Sequence, residues 1–167
     1  MILAFDTHYR DDHAKTVAVQ FVDWPDPAPQ HIEQEITEDI AAYEPGAFYK
    51  RELPCIFSLL KQFDLAEVSH MVVDGYVQLN DQGMLGLGGH LFHELGEQVP
   101  IIGVAKTAFH NNTLHTRELL RGDSKRPLFI TAIGMDVDHA HDLIKSMHGK
   151  YRMPTLLQIL DTNTKER

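Results

Sequence analysis

Cysteine, long apolar runs and signal-like segments are scarce or missing in this sequence. The single cysteine, Cys55, excludes an internal disulfide and a zinc site built from several cysteines. It also indicates a reducing compartment. No apolar run approaches the roughly 20 residues that a membrane span needs, and the first residues lack the basic start and apolar core of a signal peptide. We therefore expect a cytoplasmic protein with no membrane partner.

Positive charge is also scarce. The 167 residues include 15 Lys and Arg against 24 Asp and Glu, for a formal net charge of −9. This balance excludes a polybasic protein that holds phosphates by charge density alone. It does not exclude a nucleic-acid enzyme, because bound divalent cations reverse the field locally. The length and ordinary composition are typical of one globular domain, which we expect to span residues 1–167.

The apolar pattern predicts a mixed α/β order. Strands over 2–6, 16–22 and 31–37 follow one another through polar or proline-rich connections, which is typical of an antiparallel meander. The later predicted elements are a helix (51–63), a strand (71–73), a helix (85–98), two strands (101–105 and 128–133) and two helices (137–147 and 154–161). Such an order places functional groups at the carboxyl ends of strands.

Charged residues stand at those positions. Asp6 ends the first predicted strand, Asp74 the first strand after a helix, and Lys106 the next, while Glu52 opens the first long helix. Neighbouring carboxylates repel each other unless they are protonated or bound to a cation, and oxygen ligands select Mg²⁺ or Mn²⁺. With a lysine to hold phosphate, they would suit phosphoryl transfer. The alternative for any single Asp-Gly pair is a simple turn.

Five blocks, in order along the chain, resemble the motifs of the endonuclease V family, nucleases that nick nucleic acid beside deaminated purines. The blocks are Asp6-Thr7-His8-Tyr9, Tyr43-Glu44-Pro45-Gly46 with Arg51-Glu52-Leu53-Pro54, Val73-Asp74-Gly75, Ile102-Gly103-Val104-Ala105-Lys106, and Tyr151-Arg152-Met153-Pro154 with Asp161. The resemblance implies an α/β fold of the RNase H-like type. Its mixed sheet combines an antiparallel meander with parallel strands and is flanked by helices.

The resemblance also implies roles for the matching residues. Asp6 and Asp74 are the expected direct ligands of a catalytic Mg²⁺, for which Mn²⁺ substitutes. Glu52 is an expected further ligand, either direct or through water. Asp161 is expected to orient a metal-bound water or a second ion, and Lys106 to contact the scissile phosphate or the attacking water.

The other matches are expected substrate contacts. A base must leave the stack to be read, and an aromatic or proline wedge offsets part of the lost stacking. The resemblance assigns this wedge to Tyr43, Pro45 and Gly46, and a close approach to the displaced base to Gly75. Tyr9 and Arg51 complete the expected substrate contacts.

Three departures from the family pattern affect recognition. The family carries a longer segment with a helix before the first strand. Its Asp-Gly-His-Gly…His-Pro-Arg stretch reads Asp74-Gly75-Tyr76-Val77-Gln78-Leu79-Asn80-Asp81-Gln82 here, and Gln158 and Leu160 replace a basic residue and an alanine near the closing acid. The expected metal ligands are therefore intact, whereas the residues expected around the base are altered.

These features lead to one hypothesis and two alternatives. The leading hypothesis is a Mg²⁺-dependent endonuclease that cleaves DNA or RNA near a deaminated base such as inosine, as in DNA repair. One alternative is a related RNase H-like nuclease with a different nucleic-acid substrate. The other is a non-catalytic relative that binds nucleic acid or protein, although uncompensated clustered carboxylates are costly to retain.

Overall fold

A computed structural model describes residues 1–38, 40, 42, 45 and 49–166, which form seven strands and four α-helices. The strands are β1 (Ile2–Tyr9), β2 (His13–Phe21), β3 (His31–Glu38), β4 (His70–Asp74), β5 (Ile101–Ala105), β6 (Arg117–Leu119) and β7 (Leu128–Ile133). The helices are α1 (Tyr49–Leu60), α2 (Leu87–Glu94), α3 (Val137–Ser146) and α4 (Thr155–Lys165), with a short 3₁₀ turn at Leu65–Glu67. No helix in these residues is long and apolar enough to cross a membrane.

All seven strands belong to one sheet, in the order β3-β2-β1-β4-β5-β7-β6. The first three strands form an antiparallel meander. Strands β1, β4 and β5 are parallel to one another, and β7 and β6 continue the sheet in antiparallel pairs. This arrangement confirms the predicted fold class, a mixed sheet flanked by helices.

The side chains of β1 alternate between two apolar cores. Ile2 and Ala4 lie in the core formed with α3 and α4, whereas Leu3 and Phe5 lie in the core formed with α1 and α2. The next residue, Asp6, therefore belongs to the face that α4 covers. Burial of both faces explains why β4 and β5 read as short continuous apolar runs instead of alternating patterns.

Several elements differ in extent from their sequence predictions. β1 does not end at Asp6 but continues to Tyr9, because its polar last residues pair with β2 in a hairpin. Helix α2 begins only at Leu87, since the preceding Gly86 donates its N–H to the carbonyl of Val77. Compared with the predictions, α1 begins two residues earlier and α4 continues one turn further. The three-residue strand β6 was not predicted.

Candidate active site

The acidic residues predicted from the strand ends meet where β4 stops. The parallel register pairs Phe5 of β1 with Val73 of β4, so Asp6 and Asp74 come next on adjacent strands. Asp161 reaches them from α4, which packs against β1 and β2. Glu52 lies in the first turn of α1, which covers the opposite face. The four carboxyl groups therefore approach one sheet position from both faces.

Asp6 is held in place by two hydrogen bonds. Its Oδ1 accepts from the backbone N–H of Thr7 at 2.9 Å, and its Oδ2 accepts from the hydroxyl of Thr164 at 3.0 Å. Burial, followed by the charge of Asp74, raises the pKa of Asp6 from 3.8 to about 7, although both hydrogen bonds oppose the shift. Without a compensating cation, Asp6 therefore holds a proton well above the usual range of a carboxyl group.

Glu52 is the most deeply buried of the four acids, with only 3% of its surface exposed. This burial, together with the charges of Asp6 and Asp74, raises its pKa well above the ordinary value, and a hydrogen bond with the Thr7 side chain opposes the rise. A buried carboxylate without a full partner is costly. Ionising Glu52 beside Asp6 and Asp74 would therefore concentrate negative charge that a bound cation would offset.

Two lysines border the acidic group. Lys106 follows β5, and its Nζ lies 3.5 Å from Oδ1 of Asp161, while Nζ of Lys165 lies 2.9 Å from Oδ2. Partial burial disfavours the charge of Asp161, but hydrogen bonds from Lys165 and Lys106 outweigh it and lower the pKa. Burial raises the pKa of Asp74, although the charge of Lys106 opposes the rise. Asp161 is thus the acid most readily ionised in this arrangement.

A small cavity of about 20 Å³ separates these groups, enough for one water-sized particle. Asp6, Asp74, Lys106 and Asp161 line it, together with apolar residues of α4 and the sheet. Within the described residues, no three His, Cys, Asp or Glu side chains already stand close enough to hold a metal ion. The oxygen donors and the excess negative charge nevertheless fit Mg²⁺ or Mn²⁺. Holding such an ion would require the carboxylates to move closer together.

A larger cavity, about 520 Å³, opens beside Asp74 and Lys106, and we call it the side pocket. Gly75 lies at its edge with a φ of +113°, a backbone conformation that favours glycine. Aromatic side chains form much of the wall: Tyr49, Tyr76 and Phe109. The hydroxyl of Tyr76 donates to the carbonyl of Thr107 at 2.7 Å, which fixes this ring in the wall.

Of the other predicted substrate contacts, two lie together beside the acids. The guanidinium of Arg51 stacks over the ring of Tyr9, with 3.9 Å from Cζ to the ring centroid. Burial and then the charge of Glu52 raise the pKa of the Tyr9 hydroxyl. Because Glu52 acts on Tyr9, the pair of Tyr9 and Arg51 lies next to the acidic group. Pro45 lies in an exposed turn. The predicted wedge residues Tyr43 and Gly46 lie outside the described residues.

Sequence reasoning missed residues that hold the acids in place. Thr164 and Lys165 contact Asp6 and Asp161, respectively, from the last turn of α4. The available signal was their spacing of three and four residues from Asp161, which places them on the same helix face if the helix continues. The aromatic wall of the side pocket was also missed, although Tyr76 lies in the segment that departs from the family motifs.

The fold and the site together define an α/β protein of the RNase H-like type, with carboxylates gathered at the ends of parallel strands. The sequence model of endonuclease V matches residues 1–128. The chain belongs to the endonuclease V family, a family of nucleases. A search of curated proteins gave no significant match.

Solved structures share the fold at low sequence identity. Endonuclease V of Ciona intestinalis, in complex with a 24mer DNA containing an inosine followed by a ribo-adenosine, is 16% identical with a TM-score of 0.77, and the match covers 98% of this chain and 84% of that one. Endonuclease V of Bacillus subtilis is 19% identical with a TM-score of 0.78, covering 98% and 77%. Human ENDOV is 22% identical with a TM-score of 0.79, covering 98% and 82%.

Proposed function

We propose that this protein is a divalent-metal-dependent endonuclease that hydrolyses one phosphodiester bond of DNA or RNA near a deaminated base such as inosine. The observation that carries the proposal is the convergence of Asp6, Glu52, Asp74 and Asp161 beside Lys106 at the end of β4. Family membership and the inosine-containing DNA in the Ciona complex support this reading.

The charge balance of the site supports a cation. The raised pKa values of Asp6, Glu52 and Asp74 mean that ionising all three together is unfavourable. When bound, Mg²⁺ or Mn²⁺ supplies positive charge that stabilises the ionised carboxylates, polarises a phosphate and lowers the pKa of water. Asp6, Glu52 and Asp74 are the residues that would hold the ion.

The chain's own residues have separate tasks in the proposed hydrolysis. Lys106, whose side chain is 40% exposed, is placed to hold a phosphate oxygen, while Lys165 keeps its contact with Asp161. Asp161 is the ionised acid that orients the attacking water. The water oxygen bonds to phosphorus and releases a proton to solvent, the bond from phosphorus to the 3′ oxygen breaks, and that oxygen takes up a proton from solvent. The products carry 3′-hydroxyl and 5′-phosphate ends.

The side pocket supports the proposal that a base leaves the stack and is bound by the protein. It adjoins Asp74 and Lys106, and its volume of about 520 Å³ is adequate for a nucleobase. Its aromatic wall favours holding the base by stacking. Tyr76 already uses its hydroxyl on the carbonyl of Thr107, so the ring presents a surface but no free donor.

The aromatic wall of the side pocket also favours a second candidate function. This candidate is a nuclease of the same family that accepts a different base or an unmodified strand. Stacking is tolerant of base identity, whereas discrimination of inosine needs hydrogen bonds to its edge. A pocket lined by Tyr49, Tyr76 and Phe109 therefore fits either substrate. The two candidates share the acidic site and differ only in selectivity.

Cleavage of labelled oligonucleotides tests the proposal. Matched DNA and RNA strands, with inosine or guanosine at one position, are incubated with Mg²⁺, with Mn²⁺ or with EDTA. We expect metal-dependent nicking near inosine, and a loss of at least about 100-fold in Asp74→Asn and Asp6→Asn. Asp11→Asn is the matched control, because Asp11 is exposed in the turn between β1 and β2.

The outcomes separate the candidates. Metal-dependent cleavage that ignores the inosine supports the second candidate. Strand binding without cleavage under any metal condition supports the non-catalytic alternative. Cleavage that persists in both Asp variants contradicts any role for the acidic site.

A further inference from the structure

A surface groove leads away from the acidic site along the start of α4. The small cavity beside Asp161 shares Met153 with a neighbouring cavity of about 590 Å³, lined also by Tyr151, Arg152, Thr155 and Gln158. That cavity shares Tyr151 and Arg152 with a third one, of about 690 Å³. The third is lined in addition by Gly122, Asp123, Ser124 and Lys150. We call the two adjoining larger cavities, lined by residues 122–124, 150–153, 155, 158 and 159, the basic groove.

Two clamped loops build the far end of the basic groove. Arg121 is buried, with 6% of its surface exposed, and its guanidinium donates to the carbonyls of Met147, Gly149 and Tyr151 at 2.6–3.1 Å. Gly122 packs so closely that a Cβ there would lie 2.2 Å from the carbonyl oxygen of Lys150. The loop after α3 is therefore held firmly against the loop after β6.

Arg152 joins the same loops to the acidic site. Its guanidinium donates to the carbonyls of Arg126, Pro127 and Lys106. These backbone contacts occupy the Arg152 side chain, which makes it a positioning residue for the groove and not a free phosphate ligand. They also link the groove directly to the residue expected to contact the scissile phosphate.

The two loops that build the basic groove reverse the charge of the molecule locally. Residues 121–126 and 148–152 contain five of the 15 Lys and Arg of the chain but one of its 24 acids, Asp123. Lys150 lines the groove, and Lys125 and Arg126 follow the lining residue Ser124 in the same loop. All three are exposed, and none forms an ion pair with a residue that the structure describes. In a chain of net charge −9, this concentration of unpaired cations indicates a polyanionic partner.

Tyr151 stands in the middle of the basic groove. Its side chain is 70% exposed, although Arg121 fixes its backbone, and the ammonium of Lys150 lies 5.6 Å from its ring centroid. An exposed aromatic ring on a rigid loop, flanked by cations, is the combination that binds unpaired nucleotides, because the ring stacks on a base while the cations contact phosphates.

We propose that the basic groove binds a single-stranded extension of the substrate on one side of the scissile bond. Tyr151 stacks on an unpaired base, and Lys125, Arg126 and Lys150 contact the phosphates. The inference rests on the proposed function, because it takes the groove's continuity with the acidic site as the path of one strand. It adds a contact that governs which strands bind well, separate from the recognition of the base at the side pocket.

Fluorescence anisotropy in EDTA tests the inference without requiring cleavage. The probes are labelled single strands of DNA and of RNA, short strands of about 8 nucleotides and strands of about 20 extended to either the 5′ or the 3′ side. Tyr151→Ala is expected to weaken binding of the strand extended on one side by roughly 5- to 150-fold. Tyr151→Phe, which keeps the ring, is expected to bind all strands like the wild type. The short strand is expected to bind equally well to Tyr151→Ala and to the wild type.

The charge contribution is measured separately through the salt dependence of binding. Lys125→Ala with Arg126→Ala is expected to reduce the slope of log K against log salt by about 1.4 for a single strand. Lys61→Ala is the matched control, since Lys61 is exposed just after α1, a helix on the opposite face of the sheet, and its loss is expected to leave the slope unchanged. This arm also serves if Tyr151→Ala does not fold.

The results distinguish this inference from the proposed function. Equal binding by Tyr151→Ala and the wild type, or equal weakening for short and extended strands, would overturn the groove as a strand site. Absence of binding by the wild type would overturn it as well. Selective weakening of extended strands supports the groove even if no metal-dependent cleavage is found, in which case the proposed function alone fails.

Discussion

Replacing Asp6 by asparagine is expected to stabilise the metal-free protein at neutral and alkaline pH. Burial and then the charge of Asp74 raise the pKa of Asp6 from 3.8 to about 7. Between these values the folded state holds a proton that the unfolded chain has released, so stability falls as the pH rises through this window. Above about pH 7 the full penalty of the buried charge is present.

The size of the effect follows from that pKa. A rise from 3.8 to about 7 corresponds to roughly 4 kcal/mol of unfolding free energy once both states are ionised. Asparagine keeps the shape, and its amide can donate to the hydroxyl oxygen of Thr164, which leaves the hydroxyl proton for the carbonyl of Asp161. We expect a net gain of about 1 to 3 kcal/mol, or roughly 3–10 °C in Tm, because neutral hydrogen bonds are weaker than charge-assisted ones.

Urea and thermal unfolding in EDTA, followed by circular dichroism, measure this gain. The advantage of Asp6→Asn is expected to be large near pH 8 and less than half as large near pH 5, where folded wild type is mostly protonated at this position. Added Mg²⁺ is expected to favour the wild type, because ion binding stabilises only a chain that retains the ligand. Asp11→Asn, the exposed control, is expected to change stability by less than about 0.5 kcal/mol.

A variant that is less stable than the wild type at both pH values would refute the reasoning. A gain in stability of the same size at both pH values would refute it as well. Either result would mean that the charge of Asp6 is not the cost that its burial implies, and that its hydrogen bonds to Thr7 and Thr164 contribute more than the charge takes away.

Four further substitutions test other contacts. Arg121→Ala is expected to cost about 2 to 4 kcal/mol in urea unfolding, because buried carbonyls lose a charged donor. Arg117→Ala, which removes an exposed ion pair, should cost under about 1 kcal/mol, and equal costs would contradict this. Gly103→Ala is expected to destabilise by about 1 to 3 kcal/mol, since its Cβ would lie 2.6 Å from two neighbouring oxygens; unchanged urea unfolding would show that the strand can shift. Hydrogen bonds, with the largest contribution from the backbone amide of Leu114, lower the pKa of Asp81. The protection of this amide from hydrogen exchange should therefore persist above about pH 4 and decline as the pH falls through the lowered pKa. Asp81→Asn should lack this pH step, and its persistence would contradict the assignment.

The strand-end acids were predictable because strands β4 and β5 are short apolar runs that stop at a charged or turn residue. Asp74 and Lys106 therefore take positions close to those expected. Asp6 was located for a partly wrong reason, since β1 continues past it to Tyr9. Beside Asp6 it is the neighbouring strand β4 that ends, whereas the hairpin of β1 and β2 extends beyond that point.

The contribution of α4 was less predictable. Its register on β1 depends on tertiary packing, which no local pattern specifies, and the helix continues through Thr162, Asn163 and Thr164, residues of weak helix propensity. Without those residues, the partners of Asp6 and Asp161 could not be foreseen. The aromatic wall of the side pocket likewise depends on how two loops and the start of α1 come together, and such positions follow from tertiary contacts that one sequence does not reveal.

The contact between Asp6 and Thr164 has a consequence for how the protein is made. The two partners leave the ribosome far apart in time, because Thr164 is synthesised 158 residues after Asp6. Helix α4 carries Asp161, Thr164 and Lys165, so a nascent chain can form the β1–β2 hairpin but not the complete acidic site. Any chain interrupted before α4 therefore lacks the assembled site, and a nuclease activity of this kind would begin only once synthesis has passed that helix.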